Sequence, residues 1–370
     1  MLHGSFALTG VLHAIGGAVL PSLASALGMS DRQSGALFLL YYMGTAIGAL
    51  LCVRRYVRLM ITGFIVVTGA CCAIAVDNGA LLRPLFLVLG IGVGMPMTAV
   101  SMYAGRKFAA RSAAPLTFLN FSWSLGALLA PLFAAQLLLQ HTYRAAYGIL
   151  AAAAAIAAAA CWLVLEDPPA PAAPAAPEGM RNLRWIALFA LLTFLQVGIE
   201  NTAATWLATF SMRASGTGAA LAAASSSLYW CGFLASRGAF SLLLRRMDAK
   251  RVLHVAVLSA ISAALLLILV PGAAVRSIAM LGLGAALAPV FPLLLSRFFA
   301  RARNASDSRW VLSICGFGGS VMPLLTGWIS AASSLRVGLA TVPAALAFIL
   351  ALLPAACGRD EAGTVAEQAA

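Results

Sequence analysis

The sequence predicts an all-α integral membrane fold of twelve transmembrane helices, arranged as two parallel six-helix repeats with cytoplasmic termini. Three observations predict it. The 370-residue chain is 62% hydrophobic and only 9% charged. Soluble domains carry roughly 25% charged residues, so this chain lacks the polar side chains to cover a water-facing surface. Runs of about 20 apolar residues, enough to cross a bilayer, occur twelve times. A glycine and proline pattern in the first half also returns in the second.

The first six runs are 5–27, 34–53, 59–76, 82–104, 114–139 and 145–165. No Lys or Arg precedes the first, so the positive start of a cleavable signal peptide is missing, and an uncleaved first helix is expected. Next comes Glu166 to Met180, EDPPAPAAPAAPEGM, whose repeated Pro and Ala favour an extended connector over a helix. The second six runs are 185–210, 218–244, 252–270, 275–298, 309–331 and 336–357. The expected division is therefore an N-terminal half over 1–165, a cytoplasmic linker over 166–183, a C-terminal half over 184–358 and a cytoplasmic tail over 359–370.

The 24 basic residues set the orientation. With both termini and the linker in the cytoplasm, that side collects seventeen, in clusters such as Arg54, Arg55 and Arg58, or Arg245, Arg246, Lys250 and Arg251. The other side holds six, namely Arg32, Arg83, Arg144, Arg213, Arg276 and Arg336, and Arg237 falls inside the eighth run. Cytoplasmic loops gather Lys and Arg in this way. The same scatter explains the net charge of +13 without nucleic acid, because no basic face with aromatic platforms forms.

The repeat rests on two helix pairs. Leu89-Gly90-Ile91-Gly92-Val93-Gly94 matches Leu281-Gly282-Leu283-Gly284-Ala285-Ala286 at an offset of 192 residues. Gly126 stands five residues before Pro131, as Gly318 stands five before Pro323, again 192 residues apart. Two matches at one offset point to parallel repeats about an axis along the membrane normal.

Several function classes are excluded. None of the seven cysteines forms a CxxC pair and almost all lie in apolar runs, so they read as small buried hydrophobes rather than metal ligands. No metal and no cofactor are expected. No nucleotide-binding motif is present, so transport driven by ATP is not expected. Nor do Glu200, Arg237 and His13 assemble into a serine–histidine or paired-acid arrangement, so no enzyme activity is expected.

The chemistry concentrates in Leu195 to Phe210, LQVGIENTAATWLATF. Among the eleven acidic residues, Glu200 is the one that no loop can hold. An ionisable side chain at membrane depth is costly and usually faces a bundle interior or a water-filled path. Glu200 is therefore the leading candidate for solute binding and proton coupling. Gln196 lies one turn earlier on the same face, and Asn201 points roughly 100° away. His13 is the one histidine expected to be buried within a helix, and imidazole exchanges protons near neutral pH. Asn120 and Trp123 in the fifth run, with Trp206, Tyr229 and Trp230 in the seventh and eighth, complete a set of amides and aromatic faces that suits a sugar-sized ring. Arg237 is expected as a gate or structural charge, because its long stem reaches the membrane edge.

These residues carry a family resemblance. Leu20-Pro21 followed by Leu27-Gly28-Met29-Ser30-Asp31-Arg32-Gln33-Ser34-Gly35 resembles the first outer loop of the major facilitator superfamily of secondary transporters. Phe121 to Leu132, FSWSLGALLAPL, and Gly318 to Trp328, GGSVMPLLTGW, are similar to its fifth and eleventh helices. Val197-Gly198-Ile199-Glu200 with Trp206, Leu228-Tyr229-Trp230-Cys231-Gly232 with Arg237, and Ala288-Pro289-Val290-Phe291-Pro292 resemble helices 7, 8 and 10 of the fucose-permease-like, sugar:proton symporter branch. Two departures stand out. Cys52-Val53-Arg54-Arg55-Tyr56-Val57-Arg58 keeps the positive charge of the loop between helices 2 and 3 but lacks its Asp and Gly. The acids that fucose permeases carry in helices 1 and 4 are absent, and helix 1 has His13 and Gly16-Gly17 instead.

The resemblance implies a multi-pass transporter of the cell inner membrane, working as a monomer by alternating access, with helices 1, 4, 7 and 10 lining a midplane site. Gly90, Gly92, Gly94 and Pro96 in helix 4, with Pro289 and Pro292 in helix 10, offer the backbone irregularity such a site tolerates. The expected partners are the lipid bilayer, a small polar solute resembling a sugar, and protons through Glu200. Two alternatives stay open: export of amphipathic or cationic compounds, and a non-transporting membrane sensor on a transporter scaffold.

Overall fold

The computed structural model describes residues 1–51, 55–107, 114–167, 183–243, 247–301 and 305–357. The expected linker beyond Asp167 and the C-terminal tail lie outside these residues. The first six helices are α1 (Leu2–Ala26), α2 (Asp31–Leu50), α3 (Tyr56–Val76), α4 (Leu82–Lys107), α5 (Ala114–Leu138) and α6 (Tyr143–Val164). Then come α7 (Leu183–Ser215), α8 (Ala219–Leu243), α9 (Ala249–Leu269), α10 (Ala273–Leu287), α11 (Val290–Arg301), α12 (Ala305–Ala332), α13 (Leu335–Gly338) and α14 (Thr341–Cys357).

Eleven of the described stretches are long and apolar enough to cross a membrane. The twenty-residue α2 falls short of that apolarity, since Asp31, Arg32 and Gln33 open it and Tyr41-Tyr42 sit mid-helix. With α2 there are twelve long helical stretches, matching the twelve apolar runs. The tenth is interrupted at Ala288–Pro289, between α10 and α11, and the twelfth is made of α13 and α14. Helix α7 runs five residues beyond its predicted end before Gly216, at φ +64°, stops it. Glycine accepts that left-handed backbone without a Cβ clash.

Local signals explain the ends. Ser30 accepts from the Gln33 N–H while the Gln33 side chain accepts from the Ser30 N–H, a capping box that fixes where α2 starts. Asp248 caps α9 through the Arg251 N–H. Asp167, just after α6, accepts the Val57 N–H at 2.8 Å and so holds the first turn of α3. The basic loop before α3 lacks an aspartate of its own, and this one arrives from the end of the sixth helix.

The same packing scheme occurs twice. Helix α1 packs on α5, α2 on α4, and α3 on α4 and α6; likewise α7 packs on α12, α8 on α10, and α9 on α10 and α14. Small residues make the contacts close, as in membrane helices generally. A Cβ at Gly126 would collide with the Ala7 carbonyl, and one at Gly318 with the Phe194 carbonyl. A Cβ at Gly44 or Gly90 would strike the carbonyls of Leu87 or Tyr41, and one at Gly232 or Gly284 those of Leu281 or Tyr229.

The last set revises the expected register. The α2 and α8 partners are 188 residues apart, and the α4 and α10 partners 194 rather than 192. Gly90 therefore corresponds to Gly284, not Gly282. The expected irregularity also divides unevenly. The tenth stretch breaks at Pro289, which has no N–H to give, whereas α4 continues through Pro96 as one helix. The α4 glycines serve close approach instead, Gly90 and Gly94 to α2 and Gly92 to α3.

Between the first six helices and the rest, α2 packs on α12, α5 on α8 and α1 on α7. Among the described residues no comparable interface joins α4 to α10 or α11.

Candidate functional site

Helix α7 presents Gln196 and Glu200 on one face, a turn apart. Gln196 is fully buried, while Glu200 is partly exposed. The Gln196 amide donates from Nε2 to Glu200 Oε1 at 3.0 Å and to the Leu287 carbonyl at 3.3 Å. Leu287 ends α10 at the Pro289 break. The helix interruption and the mid-span acid are thus joined through one side chain. Gln196 Oε1 is buried without a partner.

An aromatic cluster is spread over α1, α2, α5 and α8. The His13 ring lies 5.5 Å from Tyr42, 5.2 Å from Trp123 and 6.3 Å from Trp230, and Trp123 stands edge-on to Trp230 at 5.9 Å. Tyr229 abuts Trp230 at 5.0 Å. These are spacings at which aromatic rings attract one another. The cluster forms because α5 and α8 pack along their length and deliver Trp123 and Trp230 to the same level. The Asn201 side chain, 7% exposed, lies against Gly319 and faces His13.

Arg237 lies two turns beyond Tyr229 on the same face of α8. Its Nη1 donates to the Ser124 hydroxyl at 3.0 Å, and its guanidinium sits 4.5 Å from the Phe233 ring and 5.8 Å from Trp123. Ser124 in turn donates to the Asn120 carbonyl. Glu200, Tyr229 and Arg237 lie within electrostatic reach of one another. Glu200 and Arg237 therefore share one field.

The structure thus brings Glu200, Gln196, Asn201, His13, Trp123, Tyr229 and Arg237 around one interface between the two sets of helices. Asn120 is exposed, one turn from Ser124. Trp206 stands apart: it is fully buried, and its indole N–H donates to the Pro323 carbonyl at 3.1 Å, tying α7 to α12.

Sequence reasoning missed a second polar cluster at the Asp31 end. Arg213 of α7 donates to both carboxylate oxygens of Asp31, each at 2.6 Å, and the Ser330 hydroxyl of α12 donates to the same carboxylate. Burial pushes the Asp31 carboxyl up, but the Arg213 and Ser330 hydrogen bonds and the Arg213 charge outweigh it and hold it below its ordinary value of 3.8. Nearby, Arg32 lies 4.4 Å over the Trp328 ring; deeper along α2 and α7, the Tyr42 and Thr205 hydroxyls approach to 3.4 Å. A pair 182 positions apart leaves no local signal; the unusual acid-base start of α2 was the one visible hint.

Solved structures with this arrangement are known. A bacterial homolog of the human lysosomal transporter Spinster, in an inward-facing and occupied conformation, is 16% identical with a TM-score of 0.72, covering 96% of this chain and 95% of its own. The transporter FucP in the outward conformation is 19% identical with a TM-score of 0.66, covering 96% and 97%. The nucleoside transporter NupG is 14% identical with a TM-score of 0.70, covering 96% and 97%. At these identities the likeness shows the fold. No curated protein sequence matches the chain. The family profile of the Major Facilitator Superfamily matches residues 2–306, and the chain belongs to that superfamily.

Proposed function

We propose that the protein is a secondary transporter that moves a small polar solute, sugar-like in size and hydroxyl content, by alternating access with Glu200 as the proton-coupling group. The observation that carries this reading is the Glu200–Gln196 pair, tied to the broken tenth span, with Tyr229 of the aromatic cluster within electrostatic reach of the acid. Pockets for small ligands combine such apolar and aromatic walls with a few placed polar groups. The repeated glycine contacts support two parallel six-helix halves. The distribution of Lys and Arg supports cytoplasmic termini, which places the Asp31 end outside.

In that orientation the halves are latched at the outer end by Asp31, Arg213 and Ser330, while among the described residues α4 and α11 share no comparable interface at the inner end. Outward opening requires the latch to part. Arg237 offsets the charge of Glu200, so the site is not a bare negative well, and a polar solute suits it better than a cationic drug.

The test is uptake of labelled sugars into proteoliposomes with and without an imposed pH gradient. Wild type is expected to accumulate solute above equilibrium only with the gradient. Glu200→Gln is expected to keep exchange and lose accumulation. Undiminished gradient-driven accumulation in Glu200→Gln would remove Glu200 as the coupling group.

A further inference from the structure

We infer that the solute carries an anionic acceptor group, of the carboxylate type found in sugar acids, and that Arg237, Trp123 and Tyr229 form the pole that receives it. The inference rests on the transporter reading above and narrows its substrate class.

The polar atoms around the site are segregated by kind. On α5 and α8, three side-chain atoms are buried without a partner: Trp123 Nε1, Tyr229 Oη and Arg237 Nε. The first and third are N–H groups that only donate, and the phenol donates readily. On α7, within electrostatic reach of Tyr229 and Arg237, stand acceptors: the Glu200 carboxylate and, a turn away, the unpartnered Gln196 Oε1. Buried polar groups are nearly always hydrogen-bonded in a working state, so the donors call for acceptors on the ligand, and the acceptors for donors.

The donor pole also carries charge. Arg237 leaves Nε free while Nη1 is held by Ser124, which fixes the plane of the guanidinium over Phe233. A fixed guanidinium edge matches a carboxylate better than it matches a single hydroxyl. A neutral sugar would satisfy Gln196 and Glu200 through its hydroxyls and leave the Arg237 charge opposed only by Glu200. A sugar acid satisfies both walls: its ring hydroxyls donate to Gln196 and Glu200, its carboxylate accepts from Arg237 and Trp123, and its ring lies among His13 and the tryptophans.

Binding of matched neutral hexoses and hexuronates of gluco, galacto and manno configuration to the purified full-length protein tests the inference. At least one hexuronate is expected to bind about tenfold or more tightly than its neutral parent, as for one charge-assisted bond. Arg237→Gln is expected to abolish that preference, so that each hexuronate binds no more tightly than its neutral parent. Trp123→Phe, which keeps an aromatic ring in place of the indole and removes the N–H, is expected to reduce it several-fold, and it serves if Arg237→Gln does not fold. Equal affinity within every pair, or a preference that survives both variants, overturns the inference while the sugar reading stands. Binding of neither class overturns the sugar reading and the inference with it.

Discussion

Arg213 holds Asp31 with two parallel hydrogen bonds of 2.6 Å each, joining the end of α7 to the start of α2. Bidentate pairing of this sort is the strong form of the arginine–carboxylate contact. The Arg213 side chain is 45% exposed and that of Asp31 only 10%, so solvent screens one partner and the gain is about 1 kcal/mol, the upper range for exposed pairs. Asp31→Asn should therefore move the conformational equilibrium toward outward opening by about fivefold. Distances between spin labels at Met29 and Thr217 in the two halves would report this as a longer population; an unchanged distribution would show that the pair does not latch.

The pH dependence of that latch follows from its sign. Asp31 has a depressed pKa, so its contribution is present above the ordinary value of 3.8 and lost as pH falls through the lower value in the folded protein. The Met29–Thr217 distance should stay constant from pH 8 to 5. A change in that window would mean that another group controls the outer end.

Gln196 binds Glu200 and the free carbonyl of Leu287 at once. Gln196→Leu leaves that carbonyl buried and unpaired, at a cost of about 1–3 kcal/mol. A lower melting temperature in detergent and loss of coupled uptake are expected together. Thermal stability equal to wild type would show that the α7 to α10 bond carries no weight.

Trp206 spends its single donor on Pro323. Trp206→Phe should cost about 1 kcal/mol of stability and leave solute affinity unchanged. A shift in affinity without a shift in melting temperature would return Trp206 to the site.

The paired close approaches give a symmetric prediction. Gly126→Ala and Gly318→Ala each drive a Cβ into a carbonyl oxygen, of Ala7 or Phe194, whereas Gly148→Ala meets nothing within 4 Å. The first two should sharply reduce folded protein in the membrane and the third should not, as read by fluorescence-detected size-exclusion chromatography. Tolerance of both first substitutions would contradict the packing.

The twelve stretches and the Gln196–Glu200 stripe were legible because they depend on apolar length and on a polar residue that no loop can take. The helix 4 to helix 10 register was not. Glycines at alternate positions in both helices allow two alignments that place them on different faces. The partners Tyr41 and Gly44, Tyr229 and Gly232, decide between these, and they lie on other helices. The same limit hid Asp31–Arg213 and Ser124–Arg237, which tertiary packing alone brings together. The Trp206 hydrogen bond to the Pro323 carbonyl on the α7–α12 seam was hidden for the same reason.

Solute-driven proton movement tests the central claim most directly. In weakly buffered proteoliposomes, adding a bound hexose or hexuronate outside should alkalinise the medium with wild-type protein, and Glu200→Gln should give no signal while still exchanging labelled solute. An equal proton signal in Glu200→Gln, or solute flux without proton movement in wild type, would contradict it.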